Sequence, residues 1–308
     1  MASAHRVAGL KVVSDIDLNA PPAWQGAGEA DVRIRLVAEA ERPADPFYED
    51  DRFSAACGDF FFQVDEAFSF RVRGGRRIDV HLRAERDLDD VRLYLLGSAL
   101  GVLHHQRGEL PLHCSAAEIE GEVWAFCADS GEGKSTLAAA LAALGHGHVC
   151  DDVALLRPDG GRVRLWPVDK GVKLSPEAAS RLALPTLGPV APGDPRGKLR
   201  VRPPGAVTAE STVLRGVVIL RSREDAAPVF TLEPLSGGRA LQVLAQNVYR
   251  REWLRLLRDD AGLYRALVAV LERIEVQVFT RPRDLERLEE GAARLVEALG
   301  RPAGRIRA

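Results

Sequence analysis

The chain has little cysteine, no long apolar run and no surplus of either charge. Its 308 residues carry 42 Lys+Arg against 44 Asp+Glu, a formal charge of −2 at pH 7. Duplex affinity comes largely from clustered Lys and Arg neutralising phosphates. The balance therefore argues against a dedicated nucleic-acid binder, though not against one local basic patch. No apolar stretch approaches the roughly 20 residues that a membrane helix needs. Met1–Ala20 carries Asp15 and Asp17 and lacks an apolar core, so it does not read as a signal peptide. Cys57, Cys114, Cys127 and Cys150 are far apart, each among apolar or small residues. In a chain of this length they read as reduced core residues rather than a disulfide framework or a zinc site. No internal repeat or low-complexity tract is present. With 46% hydrophobic residues there is ample chain for a buried core, and the length suggests about two domains. The expectation is a soluble cytoplasmic protein with no membrane partner.

What is there begins as strands. Arg6–Val13, Asp31–Val37, Phe60–Val64 and Phe68–Val72 mix β-branched or aromatic residues with alternating polar ones, and Arg73-Gly74-Gly75-Arg76 is a hairpin turn. Glu39–Asp51, rich in Pro and acids, reads as a surface loop. From Asp87 the period changes: Val91, Leu95, Ala99 and Leu103 put one apolar stripe on a helix ending near Gly108. Leu112–Ile119 and Glu122–Cys127 are strand-like runs joined at Glu120-Gly121. The second feeds into Ala128-Asp129-Ser130-Gly131-Glu132-Gly133-Lys134-Ser135-Thr136 and a short Ala/Leu helix stopped by Gly145. Another strand ends at Val149-Cys150, with Asp151-Asp152 at once behind it. Ser175-Pro176 opens a helix, with Ser as cap and Pro in the first turn. Pro192–Gly205 is a Pro/Gly loop with Arg196, Lys198, Arg200 and Arg202, and the tail is mostly helical with one strand at Glu275–Phe279. The division expected is a β-rich domain at 1–85, a connecting helix at 86–109, a core at 110–235 and a mostly helical part at 236–308.

Strand, glycine-rich turn, Lys-Ser-Thr and helix together form a phosphate-binding loop. Glycines let backbone N–H groups curl around a polyphosphate, and the helix N-terminus adds unpaired donors and a favourable dipole. Asp129 through Thr136 are the nucleotide-binding candidates. Lys134 can reach the β/γ-phosphates and the Ser135 hydroxyl can ligate Mg²⁺. Ala128 stands where the motif has its first glycine, a position that needs small size more than a special dihedral. Asp151-Asp152, at the end of an apolar strand beyond the loop, allows two jobs: one carboxylate holds the metal, the other takes a proton from an attacking hydroxyl. His113 opens the strand beside the one leading into the loop, which suits either a place near the phosphates or a structural role. The run His146-Gly147-His148-Val149-Cys150 is not expected to bind zinc, because alternation leaves His146 on a loop.

Leu112-His113-Cys114-Ser115-Ala116, the loop Asp129–Leu137, and Gly145-His146-Gly147-His148-Val149-Cys150-Asp151-Asp152 together resemble the HPr kinase/phosphorylase catalytic domain. In particular they look like the HPr-kinase-like peptide kinases that accompany lasso-peptide biosynthesis genes. The likeness is strong over about Leu110–Val153 and weaker over most of the chain. It implies an α/β fold: a P-loop kinase core of the HPr kinase/PEP carboxykinase type behind a β-rich N-terminal domain. It implies phosphoryl transfer from ATP with Mg²⁺ to a serine hydroxyl, the C-terminal serine of a lasso precursor peptide. By position, Asp151 matches the general base, Asp152 the acid beside the metal, Lys134 and Ser135 the phosphate and Mg²⁺ contacts, and His113 the histidine near the transferred phosphate. The Glu-Ile-Arg-Gly segment of HPr kinases proper has no counterpart, and Asp169-Lys170 lies in roughly its place. That departure weakens any reading of a reverse phosphorylase reaction, or of HPr itself as substrate. The basic loop reads either as a solvated face or as a clamp for an acidic peptide, with Lys170, Arg196 and Lys198 as the substrate contacts. A sugar or small-molecule acceptor, a nucleotide-binding protein without catalysis, and a homo-oligomer all stay open.

Overall fold

The computed structural model describes residues 2–19, 29–64, 66–83, 88–168, 171–190, 197–223 and 230–300. Among them the strands form three sheets, of eight, nine and three strands, in a mixed α/β architecture. None of the described helices is long and apolar enough to cross a membrane.

The first sheet takes β1 (Ser3–Val7), β2 (Leu10–Ser14), β3 (Val32–Val37), β4 (Tyr48–Glu49), β5 (Phe53–Ala56), β6 (Asp59–Val64), β7 (Phe68–Arg73) and β8 (Arg77–Leu82). They lie in the order β1-β2-β3-β8-β7-β6-β5-β4. The expected single strand Arg6–Val13 is instead two, because Ala8 and Gly9 take φ of 48° and 80° and reverse the chain. Two successive left-handed residues give the turn whose twist matches paired strands. One face buries Phe60, Phe62, Phe70, Ile78 and Val80.

The connecting helix is α1 (Leu88–Tyr94), a π-helical turn at Leu95–Ala99, and α2 (Leu100–Gln106). Apolar residues spaced by strict fours drift roughly 40° per step around a regular α-helix. The wider turn takes up that drift, and Val91, Leu95, Ala99 and Leu103 all stay buried against the first sheet.

The second sheet begins with β9 (Leu110–Leu112), β10 (Ser115–Ile119) and β11 (Glu122–Cys127). After α3 (Lys134–Ala143) come β12 (Gly147–Cys150), β13 (Ala154–Asp159) and β14 (Arg162–Pro167). The small sheet follows: β15 (Val172–Leu174), then α4 (Pro176–Arg181), β16 (Thr186–Pro189) and β17 (Leu199–Val201). Ser175 caps α4 as its sequence suggests, its hydroxyl accepting from the Ala178 N–H at 3.2 Å. The chain returns to the second sheet as β18 (Thr212–Arg223) and β19 (Thr231–Pro234). It continues through α5 (Gly237–Gln246), α6 (Leu254–Leu257), α7 (Asp260–Leu271), β20 (Glu275–Pro282) and α8 (Leu288–Gly300).

β18 is the axis of this sheet. Its first residues pair with β14, its remainder runs parallel to β20, and β11 flanks it in parallel on the other side. Alternation then sorts the side chains. Trp124, Phe126, Val218, Leu220 and Phe279 pack with α3 and α8, while Val123, Ala125, Cys127, Val217 and Ile219 pack with α5 and α7. The boundary expected at 235/236 runs through this layer, since β20 lies beyond it and pairs with β18 from Glu275 to Pro282. An exposed strand edge would have been left without it. The run expected as one strand, Leu112–Ile119, is broken for a related reason. β9 pairs with β13 and β10 pairs with β11 and β12, so His113 and Cys114 form the step between two neighbourhoods.

Candidate functional site

β11 delivers the chain to the glycine-rich loop at residues 128–133, and α3 leaves it. Gly131 and Gly133 have φ of 89° and 83°, a left-handed conformation costly for residues with a Cβ. Ala128 is not among the left-handed residues, and it is buried, so small size and not dihedral freedom is what its position uses. The Glu132 N–H turns back onto the Asp129 carbonyl at 3.2 Å, closing the loop. Left-handed residues at alternate positions help turn backbone N–H groups into one concavity, an arrangement that suits an anion. Lys134, only 7% exposed, folds across the loop and donates to the Ala128 carbonyl at 2.7 Å. Burial pushes its pKa down, against the opposing fields of Cys127, Asp151, Cys114 and Asp152. A buried ammonium held by carbonyls alone is short of negative charge, which a bound phosphate supplies. Ser135 and Thr136 occupy the first turn of α3 behind it.

β12 ends at the two acids. Asp151 is 4% exposed, and Ser115, itself 1% exposed, donates its hydroxyl to Asp151 Oδ1 at 2.5 Å. The two lie on adjacent antiparallel strands, which is why a serine at the start of β10 reaches an acid just past β12. Asp152 takes φ of 76°, a strained conformation for a residue other than glycine. It faces His113 Nε2 at 3.9 Å and Lys173 Nζ at 3.8 Å. The step between β9 and β10 carries His113 there, held by its N–H to the Asn247 carbonyl at 2.8 Å and by the Tyr249 ring 5.8 Å away.

The structure thus joins the loop, Lys134, the two aspartates and His113 at one end of the second sheet. It adds Ser115, Lys173, Tyr249 and Arg281, which no motif names. Ser115 could have been read from its place in Leu112–Ala116; Lys173, Tyr249 and Arg281 leave no spacing signal. Lys198 stands just before β17, and among the described residues no hydrogen bond or ion pair joins it to the acids or the loop. Arg200 of the same basic stretch pairs with Asp89 of α1 at 2.7 Å. Lys170 and Arg196 lie outside the described residues.

Chemically, the arrangement offers an anion cradle with a lysine, a buried carboxylate oriented by a hydroxyl, and a second carboxylate between two cationic or ionisable groups. Mg²⁺ prefers one or two carboxylates together with substrate phosphates over an all-protein cage. Ser135 and Asp152 are a donor set of that kind. No family model matches the chain, and no curated protein matches it. Among solved structures it is similar to the Hpr(Ser) kinase/phosphatase from Coxiella burnetii, at 15% identity over 61% of this chain and 97% of that one, with a TM-score of 0.30.

Proposed function

We propose that the protein is an ATP-dependent kinase that transfers the γ-phosphate to a serine hydroxyl. The observation that carries this reading is the Ser115–Asp151 hydrogen bond beside the loop. It occupies one oxygen of a buried carboxylate, and among the described residues no second hydrogen bond is given to that carboxylate, which leaves the other oxygen for an incoming hydroxyl. A nucleotide switch needs only to orient water; a fixed buried carboxylate facing a phosphate cradle is the equipment for deprotonating an alcohol. Asp151 takes the proton as the serine oxygen bonds to the γ-phosphorus and the bond to the ADP oxygen breaks. Lys134 and the loop N–H groups hold the phosphates and meet the charge that develops on them. Ser135 and Asp152 would hold Mg²⁺, which neutralises phosphate charge when bound. His113, next to Asp152, is placed to touch the transferred group.

The acceptor we propose, the C-terminal serine of a lasso precursor peptide, rests on the motif resemblance over Leu110–Val153. The test is intact-mass analysis of peptides ending in serine or alanine after incubation with the protein, ATP and Mg²⁺. One added phosphate on the serine peptide alone is expected, with Asp151→Asn binding ATP normally and transferring none. ATP consumption with a sugar but not with peptide would move the acceptor to small molecules. No acceptor-dependent turnover at all would leave a nucleotide-binding protein, and transfer by Asp151→Asn at the wild-type rate would remove Asp151 as the base.

A further inference from the structure

The most unusual charge near the loop belongs to none of the motif residues. Arg281 leaves β20 opposite Ser222 of β18 and projects against the back of the loop. Its Nη2 donates to the Glu132 carbonyl at 2.6 Å. The same nitrogen lies 2.7 Å from where a Cβ on Gly133 would stand, so glycine at 133 is needed for this approach as well as for its φ. The Nε of Arg281 is buried and has no hydrogen-bond partner. Among the described residues no carboxylate forms an ion pair with it; Glu132, whose field favours its charge, is instead 3.9 Å from Arg283. Burial lowers its pKa from the ordinary arginine value.

A guanidinium half-buried in this way, its Nε without a partner, carries a desolvation cost that its one carbonyl contact offsets only in part. Position accounts for it. The Glu132 carbonyl and the Gly133 N–H belong to one peptide group, and a cation bonded to the oxygen draws electron density from the nitrogen. The Gly133 N–H, part of the glycine-rich loop, makes no backbone hydrogen bond among the described residues. Charge-assisted hydrogen bonds are the strong ones, and here the assistance would pass through the peptide.

Resting on the phosphate-cradle reading above, we infer that Arg281 is a positioning residue for nucleotide phosphates: it fixes the 132–133 peptide, polarises its N–H, and sets the preference for a triphosphate over a monophosphate. The ligand class is a nucleoside polyphosphate, and the effect grows with the number of charges the loop must hold.

The test is direct binding of AMP, ADP and ATP by calorimetry, with wild type, Arg281→Gln and Arg281→Lys at one ionic strength. Losing a hydrogen bond to a charged group is expected to weaken ATP binding about tenfold or more in Arg281→Gln. AMP binding should change by less than about threefold, so the ATP/AMP ratio falls. Lysine is a strongly hydrated point charge that draws back from a half-buried position, so Arg281→Lys should lower the ratio in the same direction by less. That variant decides the matter if the glutamine variant does not fold. An unchanged ATP/AMP ratio in a folded variant overturns the inference, whether affinities are preserved or fall equally for all three nucleotides. Failure of the wild type to bind ATP would overturn the kinase reading and this inference together, which separates the two failures.

Discussion

The two large sheets fill their interiors with different side chains. In the first, rings meet rings: Phe62 stacks on Phe70 with centroids 4.9 Å apart, Phe68 meets Phe70 edge-on at 5.7 Å, and Phe53, Phe60 and Phe62 all approach Trp253. In the second, the face turned to α5 and α7 carries Cys114, Ala116, Ala125, Cys127 and Cys150, all buried, and on the other face Ala117 lies with Ala138, Ala139 and Ala140 of α3. Large rings bury the most apolar area per residue and lock the sheet that they fill. Small residues bury less; on the α3 side they belong mostly to the helix, whose alanines let it lie on β10 and β11 against Ala117, Trp124 and Phe126. One sheet is built for stability, the other for close approach.

The largest expected effect tests the first half of that contrast. Phe70→Ala removes a fully buried ring with two ring neighbours and should cost about 3–5 kcal/mol of unfolding free energy in urea titration. A loss below about 1 kcal/mol would mean that the aromatic sheet is not the stabilising frame. The effect next in size tests the second half. Ser115→Ala leaves Asp151 without its hydroxyl donor, and peptide phosphorylation should fall about 10–100-fold with ATP affinity unchanged. Ser115→Thr, which keeps the hydroxyl, should recover much of the rate. Steady-state kinetics with separate ATP binding reads this directly, and a loss confined to ATP affinity would place Ser115 in the cradle instead.

The contrast also explains how much of the molecule could be read from its residues. The alternation of Phe60–Val64 and Phe68–Val72 is local, and so are the Gly74-Gly75 turn, the Lys-Ser-Thr loop and the Ser175 cap. Each is encoded by neighbours in sequence, and each stands close to where it was expected. The missed features depend on distant partners. Leu112–Ile119 looks like one strand because nothing local says that β9 will pair with β13 and β10 with β12. β20 looks like an isolated strand in a helical tail until β18 receives it. Lys173 and Arg281 become site residues only through such pairings. Arg200, in the basic loop read either as a solvated face or as a clamp, meets Asp89 of a helix more than a hundred residues earlier.

The smallest of these effects lies where the two sheets join. α2 carries His104 and His105 into that joint, both 1% exposed. His105 Nε2 donates to the Tyr249 carbonyl at 2.8 Å, while its Nδ1 is buried without a partner. A second proton would have to sit on Nδ1 with nothing to receive it, and burial accordingly lowers the His105 pKa to about 4. Burial lowers His104 as well, against its hydrogen bond to the Glu109 carboxylate. The sign follows from proton uptake. The unfolded chain binds the proton near pH 6.5 and the folded chain only near 4, so stability is complete above 6.5 and drains as the pH falls between them. One pH unit inside that window costs about 1.4 kcal/mol from His105 alone. Urea titrations at pH 7.5, 6.5 and 5.5 should show the decline below pH 6.5, and His105→Gln, whose amide can still donate to Tyr249, should flatten it. Because the Tyr249 ring also stands beside His113, the same titrations followed by ATP binding ask whether acid loosens the joint alone. Affinity that holds while stability falls keeps the two sheets as separate devices; affinity that falls in step makes the joint part of the site.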